Sequence, residues 1–280
     1  MIICDTIAPL RQQIKEWKQQ GKTIALVPTM GNLHKGHLSL IEEAKLRADI
    51  TIATIFVNPT QFDKQEDLDH YPRTLDNDLK KLKGSKCDLV FTPSTAEIYG
   101  PNNTTQINVS GISEILEGAS RQGHFSGVAT IVAKLFNLTS PEFAIFGKKD
   151  FQQLKLIQQM VSHLNFDIQV IGKETYREQD GLAMSSRNSH LTIQQRKIAP
   201  ALSQQLIKIK EEILQGNHNY QQLSQDACKQ LNQLGFQTDY VTICRQRDLL
   251  PAGKTDKELV ILAAAQLGKP RLIDNMTLSI

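Results

Sequence analysis

Apolar residues follow two rhythms along the chain. Short runs that are apolar almost throughout occupy 23–28, 50–57, 87–91, 143–146 and 166–171. Between them, apolar residues recur every three or four positions. Ile7, Leu10, Ile14 and Trp17 do so up to Gly21, as do Leu38, Ile41 and Ala44, and Leu75, Leu79 and Leu82 up to Gly84. Val128, Val132, Leu135 and Phe136 repeat the pattern, and 151–164 carries it once more. The runs predict buried strands and the spaced positions predict helices. Uniformly apolar strands alternating with amphipathic helices predict an α/β fold, with a parallel sheet covered on both faces. Ligands of such sheets bind beyond the carboxyl ends of the strands. Two loops, 30–37 and 147–150, follow predicted strands.

The rhythm changes after residue 188. Thr192 and Gln195 have the spacing of a capping box. Ile198, Leu202, Leu206, Ile209 and Ile213 continue at helical spacing to Gly216, with Pro200 placed to kink the first turns. Leu223, Ala227, Leu231 and Leu234 mark a further helix ending at Gly235, and 240–244 and 259–264 read as strands. This is a smaller α+β domain. The boundary falls in the polar stretch 173–188, giving domains 1–175 and 176–280.

Composition narrows the function classes without choosing one. The 280 residues are 40% hydrophobic and 22% charged, as in an ordinary globular protein. A net charge of +3 is too small to argue for nucleic acid. Cys4, Cys87, Cys228 and Cys244 are scattered, which predicts reduced thiols and neither a disulfide framework nor a zinc site. No apolar stretch approaches a membrane span of ~18 residues. Asp5, Arg11 and Lys15 interrupt the N-terminus. The expected compartment is the cytoplasm, with no membrane partner.

Four segments carry candidate chemistry. In Met30-Gly31-Asn32-Leu33-His34-Lys35-Gly36-His37, a glycine-bearing loop meets a helix start, where free N–H groups and the helix dipole favour phosphate. His34 and His37, three apart, face the same way on that turn. Two ordinary histidines beside a turn are the plainer reading of those residues alone. Gly147-Lys148-Lys149-Asp150 offers close backbone approach, two cations and a capping carboxylate, or simply a turn with solvated lysines. Met184-Ser185-Ser186-Arg187 sets two hydroxyls and a forked guanidinium together, which suits phosphate oxygens and also suits a polar linker. Asn58 and Gln61 stand at the end of a strand in Phe56-Val57-Asn58-Pro59-Thr60-Gln61-Phe62, where amides flanked by apolar side chains suit a small hydroxy acid.

Taken in order, these segments resemble the pantothenate synthetase family. Residues 28–37 resemble its PTMGxLHxGH segment, a version of the HIGH motif. Residues 56–62 resemble its FVNPxQF, 71–74 its YPRT, 123–128 its GHFxGV, 180–188 its DGLAxSSRN and 271–275 its RLIDN. The resemblance covers nearly the whole chain. It implies a Rossmann-like N-terminal domain with a smaller C-terminal lid domain, and a homodimer. It implies that ATP activates pantoate as pantoyl adenylate, and that β-alanine then displaces AMP to give pantothenate, with Mg2+ accompanying ATP. By the same resemblance, residues 30–37 bind ATP, and His34, His37 and Lys149 are catalytic. Gly147, Lys148, Lys149, Asp150, the backbone of Tyr176, and Met184, Ser185, Ser186 and Arg187 complete the nucleotide site. Gln61, Gln153, Asn58 and Met30 hold pantoate and β-alanine. Asp78 is the candidate for magnesium. Lys148 departs from the family's usual glutamate, and Tyr176 from a small aliphatic residue. The alternative is another HIGH-motif nucleotidylyltransferase, one that releases pyrophosphate and stops at the nucleotidyl product.

Overall fold

The structure is a computed structural model that describes residues 1–280. The chain forms two compact units, one of residues 1–147 with 153–173, the other of 148–152 with 174–280.

The first unit runs β1 (Ile2–Cys4), α1 (Ile7–Gln19), β2 (Ile24–Thr29), α2 (Lys35–Arg47), β3 (Ile50–Ile55), α3 (Gln65–Asp69), α4 (Leu75–Gly84) and β4 (Leu89–Phe91). It continues with α5 (Thr95–Tyr99), α6 (Glu117–Ser120), α7 (His124–Thr139), β5 (Phe143–Gly147), α8 (Phe151–His163) and β6 (Gln169–Lys173). Its six strands are ordered β1-β4-β3-β2-β5-β6, and every pair is parallel. Side chains alternate across a strand. Ala25, Val27, Ala53, Val90 and Ile145 therefore share one face, packed with Leu40, Ile41 and Ala44 of α2 and Leu82 of α4. Ile24 and Leu26 point the other way and are equally buried, and α7 packs on β2. α7 is apolar nearly all round, as a helix enclosed by its neighbours must be.

Strand order reverses between β2 and β5. Their ladder pairs only Ala25 with Phe143 and Leu26 with Ala144. Pro28, without an N–H, cannot extend it. The two strands part at their carboxyl ends, the position where open α/β sheets bind ligands.

The second unit adds α9 (Ile193–Ile198), α10 (Ala201–Leu214), α11 (Tyr220–Gln233), β7 (Gln237–Arg245), β8 (Glu258–Gln266) and β9 (Arg271–Ser279). Its sheet is antiparallel in the order β7-β8-β9. Leu202, Leu206, Ile209, Ala227 and Leu231 pack on Val241, Ile261 and Leu272. Pro200 does not kink one long helix but separates two, since α9 stops at Ile198 and Pro200 caps α10. The Thr192–Gln195 capping box is present.

Other boundaries shift for local reasons. α2 buries Leu40 where periodicity points to Leu38. β6 begins at Gln169 rather than 166, because Phe166 packs edge-on against Phe136, with ring centroids 5.7 Å apart. Neither β1 nor β9 is among the predicted strands. β1 is three residues long, and β9 carries Asp274 and Asn275 in its middle.

Candidate active site

The β2–α2 loop turns on two residues of positive φ, Gly31 at 83° and Asn32 at 49°. This geometry aims the N–H groups of Asn32 and Leu33 at Asp78 of α4. Its Oδ2 accepts from Asn32 at 2.9 Å and its Oδ1 from Leu33 at 2.8 Å. The Thr74 hydroxyl donates to Oδ2 at 3.0 Å, and Lys81 Nζ donates to the Leu33 carbonyl at 2.6 Å. α4 thus grips the loop from below. α2 then starts with His34 as N-cap and His37 at the third helical position. The His34 N–H donates to His37 Nδ1 at 3.2 Å, and the rings lie 4.0 Å apart. With Nδ1 accepting, neutral His37 carries its proton on Nε2. The loop therefore ends in two imidazoles in contact, their planes tilted by 31°, at a helix N-terminus, a setting that attracts anions.

Beyond β3, Asn58 caps a 3-10 turn, Pro59–Gln61. Asn58 Nδ2 donates to Gln61 Oε1 at 3.0 Å and to the Gly127 carbonyl at 3.2 Å, and Tyr99 donates to Asn58 Oδ1 at 2.6 Å. Gln61 Nε2 lies 3.1 Å from Met30 Sδ. The structure thus brings together Met30, Asn58 and Gln61, three residues expected to hold substrate. Gln153, in the first turn of α8, is half-buried and stands outside this network.

α7 fixes the turn from the other side. The Gln61 carbonyl lies 2.7 Å from His124 Nδ1, and Arg121 Nη1 lies 3.1 Å from His124 Nε2. A carbonyl only accepts and a guanidinium only donates. His124 is therefore the neutral Nδ1–H tautomer. Gly127 permits the close approach: a Cβ there would sit 2.3 Å from the Thr60 carbonyl oxygen.

In the second unit, a 3-10 turn of Lys148, Lys149 and Asp150 follows β5. Asn275 Nδ2 donates to the carbonyls of Lys148 at 2.8 Å and Lys149 at 2.7 Å. The Lys148 ammonium is ion-paired with Glu174. Lys149 Nζ lies 3.9 Å from Asp150 Oδ2. Tyr176 and Met184 close a narrow hairpin, the Met184 N–H donating to the Tyr176 carbonyl at 2.9 Å. Ser185 caps the 3-10 turn Ser186–His190 by accepting from the Arg187 N–H at 3.3 Å. Asn188 Nδ2 braces the segment on the Ala183 carbonyl at 3.1 Å. Arg187 is exposed and pairs with no carboxylate.

Residues 2–277 match the family model described as pantoate-beta-alanine ligase. The chain belongs to that family. Two crystal structures of pantothenate synthetase from Thermus thermophilus are 39% identical, with TM-scores of 0.93 and 0.92, covering 99% of both chains. A pantoate-beta-alanine ligase from Francisella tularensis, complexed with beta-gamma ATP and beta-alanine, is 36% identical with a TM-score of 0.82. That match covers 99% of this chain and 97% of that one. The chain is thus an enzyme of the ligase class, and its α/β fold with a small antiparallel C-terminal sheet is that of pantothenate synthetase.

For a ligase of this family, Asp78 reads differently once its surroundings are known. It is wholly buried, and both oxygens are taken up by the loop N–H groups and Thr74. That carboxylate does not fit a magnesium ligand. No group of three His, Cys, Asp or Glu side chains converges to hold a metal ion. Sequence reasoning also missed Tyr99, His124 and Gly127 behind Gln61, and Asn275 behind the lysines. Signals existed for three of the four, since His124 and Gly127 lie in 123–128 and Asn275 in 271–275, motifs without an assigned role, while Tyr99 lies in neither.

Proposed function

We propose that this enzyme joins pantoate to β-alanine in two steps driven by ATP. A pantoate carboxylate oxygen attacks the α-phosphorus, the bond to the β-phosphate oxygen breaks, and pyrophosphate leaves. The β-alanine amine, unprotonated, then attacks the pantoyl carbonyl carbon. The bond to AMP breaks, the amine loses a proton, and pantothenate is released. The observation that carries this reading is the histidine pair at the start of α2, beside the split between β2 and β5. The Francisella enzyme, complexed with beta-gamma ATP and beta-alanine, supports the choice of ligands.

In this reading residues 30–37 take the triphosphate, with His37 Nε2–H donating to phosphate. Lys149 and Arg187 offset the charge that builds as anion approaches anion. Gly147, Asp150, Tyr176, Met184, Ser185 and Ser186 complete the nucleotide site. Gln61 and Gln153 hold pantoate, and Asn58 fixes the Gln61 amide by its 3.0 Å bond. No side chain is assigned to magnesium; a divalent ion brought in with ATP would supply further positive charge against the phosphates beside Lys149 and Arg187. A homodimer is proposed on the family resemblance, and a cytoplasmic location on the scattered, unpaired cysteines. Sedimentation velocity tests the first, and no helix is long and apolar enough to cross a membrane.

The test is exchange of labelled pyrophosphate into ATP. It should require pantoate and proceed without β-alanine, because the adenylate step reverses alone. Exchange that ignores pantoate, or that begins only on adding β-alanine, would overturn the two-step scheme.

A further inference from the structure

β9 contains two polar residues where a strand over an apolar core has no structural use for them. Leu272, Met276 and Leu278 of β9 face the core of the second unit. By alternation Asp274 lies on that same face, with 3% of its surface exposed. A lone carboxylate there would be costly. It is met by a two-pronged bond from Arg177, Nη1 to Oδ2 at 2.7 Å and Nη2 to Oδ1 at 2.9 Å, and by the Asn275 N–H at 2.7 Å. Arg177 also donates to the carbonyls of Gly181 at 3.0 Å and Asn275 at 3.2 Å. A well-packed apolar pair in place of such an ion pair is often no less stable. Stability alone therefore does not account for Asp274 and Arg177.

What the pair does is seat Asn275. Held through its own N–H and C=O, Asn275 projects from the opposite face and donates to the carbonyls of Lys148 and Lys149. Two consecutive carbonyls fixed by one buried amide leave the turn little freedom. The same turn presents Lys149, whose side chain is 16% exposed.

We propose that Asn275, seated by Asp274 and Arg177, is a positioning residue for Lys149, setting where its ammonium meets a polyphosphate. This rests on the phosphate role given to Lys149 above. It assigns a purpose to the 271–275 motif, which the reaction scheme leaves without one. It also accounts for residues 148–152 belonging to the C-terminal unit rather than to the strand they follow.

The experiment is a double-mutant cycle in the full chain. It uses Lys149→Ala, Asn275→Ala and both together, and reads kcat/KM for ATP in pantoate-dependent pyrophosphate exchange. Asn275→Asp is made alongside, since it keeps the side chain's size and removes both donors. If Asn275→Ala unfolds the protein, Asn275→Asp carries the cycle. Misplacing a charged group by about 1 Å can cost on the order of a hundredfold. The expected result is a loss of at least about tenfold from either Asn275 variant in the native background, and of less than about twofold when Lys149 is already alanine. Equal losses in both backgrounds would mean that Asn275 acts on stability alone and would overturn the inference. So would no loss from Asn275 while Lys149→Ala is impaired. An unimpaired Lys149→Ala would instead overturn the role of Lys149, and the inference with it.

Discussion

Gly31 shows how much one missing side chain can decide. Its φ of 83° is a region that side chains with a Cβ enter at a cost of ~1–2 kcal/mol. A Cβ there would also stand 3.1 Å from Ile55 Cγ2 and 3.2 Å from Asp78 Oδ2. The second contact matters more, because Asp78 Oδ2 is the acceptor for the Asn32 N–H. Displacing that oxygen exposes a buried carboxylate and a loop N–H to loss of their bond, about 1–3 kcal/mol. Gly31→Ala should lower the melting temperature and reduce ATP-dependent exchange at least about tenfold. Wild-type exchange in this variant would show that the loop is not organised by Asp78. At this scale the sequence made legible a glycine loop running into a helix with His34 and His37 three apart, and the fold adds that the two rings lie 4.0 Å apart at the helix start. The sequence was uninformative about Asp78. A carboxylate in Asp76-Asn77-Asp78 reads as a solvated face or a metal ligand until the tertiary fold turns a loop onto it.

Elements with a single periodicity were legible, and those defined by their partners were not. β2, β3 and β5 announced themselves as apolar runs, since both of their faces are covered. β9 did not, because Asp274 and Asn275 interrupt the apolar pattern, even though its partner β8 ends only a short turn before it. The junction of α2 with β6 was equally hidden. Glu43 of α2 is 8% exposed, with Lys173 Nζ of β6 at 2.9 Å and Arg47 Nη2 at 2.7 Å. Hydrogen bonds from Lys173 and then Arg47 hold its carboxyl below the ordinary value of 4.5. A depressed folded-state value means that the unfolded chain binds the proton first as pH falls. The contribution of Glu43 is therefore whole above that ordinary value and drains away below it. In urea titrations, native protein should exceed Glu43→Gln in stability at pH 7, and the gap should narrow by pH 3. A gap that stays constant across that range would remove the ionised Glu43 from the account.

Over the whole molecule, what matters for an anionic substrate is which cations remain uncommitted. A net charge of +3 says little about this. Lys148 is neutralised by Glu174, and the pair is largely solvent-facing, so it contributes little in either direction. This answers the substitution that set the chain apart from its family pattern: the extra cation at 148 carries its own counter-charge. Arg187, by contrast, is exposed and has no carboxylate beside it, on a segment braced by Ser185 and Asn188. Motif spacing could single out both cations, but only the folded chain separates the committed one from the uncommitted one. The two should behave oppositely on replacement. Lys148→Gln should leave KM for ATP within about twofold of native. Arg187→Ala should raise it by about tenfold or more, as expected for loss of a charge-assisted bond of ~1.5–3 kcal/mol. Its melting temperature without ligand should be nearly unchanged, because no ion pair or side-chain hydrogen bond of the free protein is lost. Arg187→Lys should recover only part of the affinity, since an ammonium lacks the guanidinium's fork. Measured as KM for ATP in pantoate-dependent exchange, a larger effect at 148 than at 187 would reverse this assignment of the two charges.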